Sequence, residues 1–180
     1  MSGASTESIN HGQKPVLTMS GHANTIGGVM YLPEGDRVVT CSWDKSVRVW
    51  NTTTGEEEGM RMEHGAIVRC VGVTTDGRRI LSGGFDRKLK VWEVETHKLV
   101  EVWEGHERWA IRSVAISPDG KIPPLLGSWD HTIRKWDSVT GKAVGEPWQG
   151  HTSKIYSLAL SPDGTHISSA SGDRTIRCWD

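Results

Sequence analysis

Apolar and polar residues alternate along this chain in short runs. In Val47-Arg48-Val49-Trp50, and where Ile155, Ser157 and Ala159 interleave with Tyr156, Leu158 and Leu160, the period is two. No window sustains a helical stripe. Turn formers punctuate the runs. Pro33-Glu34-Gly35, Asp76-Gly77, Pro118-Asp119-Gly120 and Pro162-Asp163-Gly164 form one set, and Thr54-Gly55, Thr96-His97 and Thr140-Gly141 a second. The pattern predicts an all-β chain of short antiparallel strands.

The runs also repeat. SWDKSVRVWN at 42–51, GFDRKLKVWE at 84–93, SWDHTIRKWD at 128–137 and SGDRTIRCWD at 171–180 align without gaps. Their aspartates, Asp44, Asp86, Asp130 and Asp173, are 42, 44 and 43 residues apart, and Trp50, Trp92, Trp136 and Trp179 keep the same intervals. A histidine precedes each unit, at His22, His64, His106 and His151. The turns divide each unit into four strands, so residues 15–180 should form four antiparallel sheets. One such sheet cannot bury both faces, so neighbours must stack. Residues 1–14, rich in Ser, Gly, Thr and Asn, are expected to be a disordered tail.

Composition narrows the function. Twenty-one Lys and Arg against 22 Asp and Glu leave a formal charge of −1, which gives no bulk attraction for nucleic acid or anionic lipid. No apolar run approaches membrane-spanning length, and no signal-peptide segment opens the chain. Cys41, Cys70 and Cys178 form neither a disulfide framework nor a Cys-x-x-Cys pair. An intracellular, cytoplasmic protein is expected.

The Gly-His, the x-Asp and the terminal Trp-Asp, recurring at a period in the low forties, resemble the WD-repeat β-propeller family. The resemblance implies a hydrogen-bonded set in each blade, formed by Trp, a hydroxyl four residues before the Asp, His and Asp. In this sequence the sets are His22, Thr40, Asp44 and Trp50; His64, Ser82, Asp86 and Trp92; and His151, Ser169, Asp173 and Trp179. The third set has only His106, Asp130 and Trp136, because Leu126 stands in the hydroxyl position. Burying such groups is costly unless all are satisfied, and a satisfied network fixes strand register.

Other chemistries are weaker. Ser82, His64 and Asp86 could be read as a hydrolase triad. The trio recurs around the ring, however, and no oxyanion-hole motif accompanies it, so a structural role and no enzyme activity are expected. No His pairs with another His or a Cys at ligand spacing, so neither a metal nor a cofactor is expected. Arg48, Lys90, Arg134 and Arg177 share one position two residues before the Trp. Packing against the indole explains them better than nucleic-acid binding. Glu56-Glu57-Glu58 reads as a solvated outer strand.

The third repeat is irregular. Pro123 and Pro124 replace strand residues and Lys135 replaces an apolar one, which predicts a distorted second strand with His106 and Asp130 rewired or bridged by water. The run Val16-Leu17-Thr18-Met19 precedes the first Gly-His as an outermost strand would, whereas the last repeat stops after its third strand. A homodimer is therefore expected, in which residues 15–19 of each chain complete the other's last blade in one eight-blade ring. A self-closed monomer, or further blades in a longer polypeptide, are the alternatives.

In the family the resemblance points to, the residue before the blade Asp and residues early in the first strand face the narrow end and contact partners. Here these are Trp43, Phe85, Trp129 and Gly172, with Thr25, Ile67, Arg69, Arg112, Lys154 and Tyr156 nearby. Trp, Tyr and Arg dominate interface energetics. The expected function is a non-catalytic scaffold binding a protein or peptide on this face, with carbohydrate stacking on exposed Trp as the alternative.

Overall fold

The structure, a computed structural model, describes residues 14–117 and 123–180. The expected tail, apart from its last residue, and the turn at Pro118-Asp119-Gly120 lie outside the described residues. The described residues form fifteen strands. The first sheet contains β1 (Ile26–Tyr31), β2 (Arg37–Ser42), β3 (Ser46–Asn51) and β4 (Glu57–Glu63). The second contains β5 (Val68–Val73), β6 (Arg79–Gly84), β7 (Lys88–Glu93) and β8 (Leu99–Glu104). The third contains β9 (Ile111–Ala115), β10 (Leu125–Ser128), β11 (Ile133–Trp136) and β12 (Ala143–Trp148). The fourth contains β13 (Ile155–Leu160), β14 (Ile167–Ser171) and β15 (Ile176–Trp179). Within each sheet the strands pair in chain order, all antiparallel.

The cores lie between sheets, as blades that cannot bury both faces alone require. Leu32, Val39, Val47, Val49 and Met62 of the first blade pack on Val68, Val71, Ile80 and Trp92 of the second. Leu81, Leu89, Val91 and Trp103 then meet Ile111, Leu126 and Trp136. Ala115, Leu125 and Ile133 meet Ile155, Leu158 and Ile167. The innermost strands pack side by side in the order β1, β5, β9, β13, and among the described residues β1 and β13 are not joined as neighbouring blades are. Apolar side chains consequently stay open on the two end blades, with Val29, Tyr31 and Ile176 each more than half exposed.

Pro123 and Pro124 shorten the third blade without breaking it. β10 and β11 have four residues each, against six in β2, β3, β6 and β7, and the amide of Trp136 still donates to the Pro124 carbonyl (3.0 Å).

Each innermost strand carries a β-bulge at the same place, where register shifts by one residue against its neighbour. The extra residues are Gly27, Arg69, Arg112 and Tyr156. A bulge adds local twist and re-aims the inserted side chain. Nothing in the alternation pattern announced these four insertions.

Candidate functional site: the narrow face and its buried supports

In the first blade Trp50 Nε1–H donates to Thr40 Oγ1 (2.7 Å), Thr40 meets His22 Nε2 (2.7 Å), and His22 Nδ1 meets Asp44 Oδ2 (2.7 Å). One proton arrangement satisfies every link: indole to hydroxyl, hydroxyl to imidazole, imidazole to carboxylate. The fourth blade repeats it through Trp179, Ser169, His151 and Asp173. Burial opposes ionisation of Asp44, but hydrogen bonds from His22, Ser46 and the Ala23 amide outweigh it and hold the carboxyl well below its ordinary range.

The second blade departs from this. Trp92 Nε1 donates to Ser82 Oγ (2.7 Å), yet His64 Nε2 lies 3.3 Å from the Ser82 carbonyl and makes no bond to its hydroxyl. His64 Nδ1 is 2.8 Å from Asp86 Oδ2, but its buried N–H has no hydrogen bond of acceptable geometry. A short distance without alignment makes a weaker contact than the bonds in the first and fourth blades. A second difference lies two residues after the aspartate. Ser46, Thr132 and Thr175 each donate a hydroxyl to their Asp, whereas Lys88 has none to give. Sequence reasoning missed this fifth member, although the column is visible on alignment. Ser82 is fully buried and its oxygen is engaged by Trp92, so the trio of Ser82, His64 and Asp86 presents neither a nucleophile–base contact nor access for substrate.

In the third blade His106 Nδ1 still reaches Asp130 Oδ2 (2.7 Å), correcting the expectation that this pair would be rewired. The defect is at the other end. His106 Nε2 meets only the Leu126 carbonyl at 3.4 Å, and the buried Trp136 Nε1 has no partner.

The cations before each Trp behave unequally. Arg48 and Lys90 lie 5.9 and 5.6 Å from the centroids of Trp50 and Trp92. Arg48 is also paired with Glu57 (3.0 Å) and Asp44 (3.2 Å). Glu57 is thus a partner for a buried guanidinium rather than one of three solvated charges.

These networks hold the turns that follow each blade Asp. Lys45, Arg87, His131 and Arg174, each following its blade Asp, all have left-handed backbone, with φ of 74°, 66°, 75° and 69°. The residue before each Asp is held at the start of its blade's innermost strand, its amide donating to the carbonyl of Thr25, Ile67, Ala110 or Lys154. Trp43, Phe85 and Trp129 converge there on one side chain: the Arg69 guanidinium lies 4.4, 5.5 and 5.4 Å from their centroids. Phe85 meets Trp129 edge-on at 5.3 Å, and Lys154 Nζ is 4.3 Å from Trp129. The fourth blade has Gly172 in the aromatic position; a Cβ there would press within 2.9 Å of Ser153 and 3.2 Å of the Tyr156 ring, which occupies that side. Arg112, at the equivalent bulge of β9, lines the same groove as Arg69. Trp109, 54% exposed in the loop before β9, was not singled out by its sequence position.

A family model for the WD domain, G-beta repeat, matches residues 13–51, 57–93, 97–137 and 141–180. The chain belongs to the WD-repeat family. Nuclear distribution protein PAC1-2 of Uncinocarpus reesii is 32% identical over 93% of this chain and 42% of its own length. Nuclear distribution protein nudF of Aspergillus niger is 29% identical over 92% of this chain and 41% of its own. A ribosome biogenesis protein WDR12 homolog of Ixodes scapularis is 28% identical over 92% and 39%. The chain spans about two fifths of the length of these WD-repeat relatives.

Proposed function

We propose that this WD-repeat chain is a non-catalytic scaffold whose narrow face binds a protein or peptide. The observation that carries the reading is the convergence of Trp43, Phe85 and Trp129 from three successive blades on Arg69. Aromatic and arginine side chains clustered at one rim are what interface hot spots are made of. The names of the relatives, which concern nuclear distribution and ribosome biogenesis, agree with a role in assembly rather than in turnover of a substrate. Carbohydrate stacking fits less well, because cations already lie over the Trp43 and Trp129 rings. The test is an affinity capture with wild-type chain and with Trp43→Ala/Trp129→Ala, compared protein by protein, beside a glycan array. Loss of the same captured proteins in the folded variant is expected; an unchanged set, or selective glycan binding, would sink the reading.

We infer also that a second copy of the chain completes an eight-blade ring. Leu17 packs against Gly55 just as Gly59 packs against His97 in the following blade. Leu17 and Gly59 each stand five positions before a repeat histidine, and Gly55 and His97 each eleven after a repeat aspartate. The segment at Val16–Met19 is therefore seated where the outermost strand of a preceding blade would lie. Among the described residues the outer edge of β15 is unpaired, and a second copy would set its own Val16–Met19 there. Light scattering at twice 19.8 kDa is expected, and a single 19.8 kDa species at micromolar concentration would end this proposal. The three free thiols, two of them buried, support a reducing cytoplasmic setting.

A further inference from the structure

The four bulges set the chemistry at the mouth of the channel. Gly27, Arg69, Arg112 and Tyr156 occupy equivalent positions in β1, β5, β9 and β13, so each blade contributes one side chain, or none, at the same height. In two adjacent blades that residue is an arginine. Burial, and after it the charge of Arg112, hold the Arg69 pKa below its ordinary value, so the two guanidiniums act on one another as like charges.

Among the described residues neither arginine is paired with a carboxylate, and the axial groove below them, about 500 Å3 and bounded by residues from Gly27 to Ser157, is lined by no Asp or Glu. Donors without acceptors gather at the same rim. Arg69 Nε, Trp43 Nε1 and Trp129 Nε1 are all buried with no hydrogen-bond partner, and Lys154 adds a further positive charge over Trp129. Buried donors and unpaired cations around one opening call for an anionic acceptor from outside.

We propose that this mouth receives the carboxylate of an aspartate or glutamate in a partner peptide, held by Arg69 and Arg112, with a flanking apolar residue against Phe85 and Trp129. The proposal rests on the reading of the aromatic rim as a peptide-binding face. A carboxylate fits better than a nucleic-acid backbone, because the cations form one compact group on a chain of net charge −1 rather than a track along which successive phosphates could lie.

The experiment is fluorescence anisotropy with two labelled peptides, one alternating Glu and Leu, the other with Gln for every Glu, and with a labelled single-stranded oligonucleotide. The Glu peptide should bind, with affinity falling as salt rises. Binding should weaken at least about tenfold on changing Glu to Gln, and to a similar degree for Arg112→Gln with the Glu peptide. Arg112 makes no ring contact among the described residues, so Trp fluorescence can verify that R112Q keeps the aromatic rim. Equal binding of both peptides, abolished by Trp129→Ala, would leave the peptide-binding face standing and overturn the carboxylate. Loss of Glu-peptide binding in R112Q but not in the Trp43→Ala/Trp129→Ala variant would do the reverse. Binding of the oligonucleotide in place of the Glu peptide, or of neither peptide, overturns the proposal.

Discussion

The imidazole of His97, in the turn between β7 and β8, donates from Nδ1 to the carbonyl oxygen of Met60 in β4 of the preceding blade, 2.7 Å away. His97 is buried, has φ of 57°, and rests its ring on Gly59, whose own φ is 66°. Two left-handed residues thus lock adjacent blades together at their outer edges.

This lock predicts a cost for Gly59→Ala. The new Cβ would stand 2.5 Å from His97 Cε1 on a backbone that disfavours any side chain. Overpacking of this kind should destabilise the chain by about 1–3 kcal/mol. Urea denaturation checks it, and Gly35→Ala, where a Cβ meets nothing within 4 Å, serves as the control for backbone strain alone.

Trp50 and Trp136 are buried alike, at 3% and 4% exposure, but only Trp50 has an acceptor for its indole N–H. Trp50→Phe should therefore cost more than Trp136→Phe, by about 1 kcal/mol from the lost hydrogen bond. Equal losses in thermal unfolding would show that the first-blade network contributes packing and nothing more.

Acid should destabilise the chain through Asp44, Asp130 and Asp173. Burial works against ionisation of Asp130, while the hydrogen bond and charge of His106 and the Thr132 hydroxyl and amide outweigh it, holding the carboxyl at about 2. A carboxyl whose folded pKa lies below its unfolded value stabilises the fold fully above the unfolded value, near 4, and loses that contribution as pH falls toward the folded one. Melting temperature should fall between about pH 4 and pH 2, and less steeply in Asp130→Asn. A parallel fall in the variant would locate the acid sensitivity elsewhere.

The thiols should separate cleanly. Burial pushes Cys41 up to about 12 and Cys70 higher still, whereas Cys178 is exposed on β15. One thiol per chain should react with a disulfide reagent under native conditions, and all three in denaturant. If a second copy covers the β15 edge, Cys178 should react more slowly as protein concentration rises.

Strand order and blade boundaries were legible in the sequence because period two and a fixed 42-to-45-residue interval are properties of a linear string. The rim positions were legible too, since Trp43, Phe85 and Trp129 hold one column and Arg69 and Arg112 another. What those residues do to each other was not. The caging of Arg69 depends on bulges that a hydrophobic pattern does not record, and on three blades meeting at one axis. In the second blade Ser82, His64 and Asp86 are all present, and what the sequence pattern does not record is the alignment between His64 and Asp86 or the role of Lys88, which stands where the other blades have a hydroxyl.

The repeated bulge separates two tasks that most strands must share. The inserted residue has no counterpart to oppose in the neighbouring strand, so Arg69, Arg112 and Tyr156 stand outside the pairing of the ladder, whereas a Cβ at Gly27 would stand 3.0 Å from the Val68 carbonyl oxygen of the next blade. The four are dials on one lock face, here set to blank, basic, basic and aromatic, and the blank one is pinned by its neighbour.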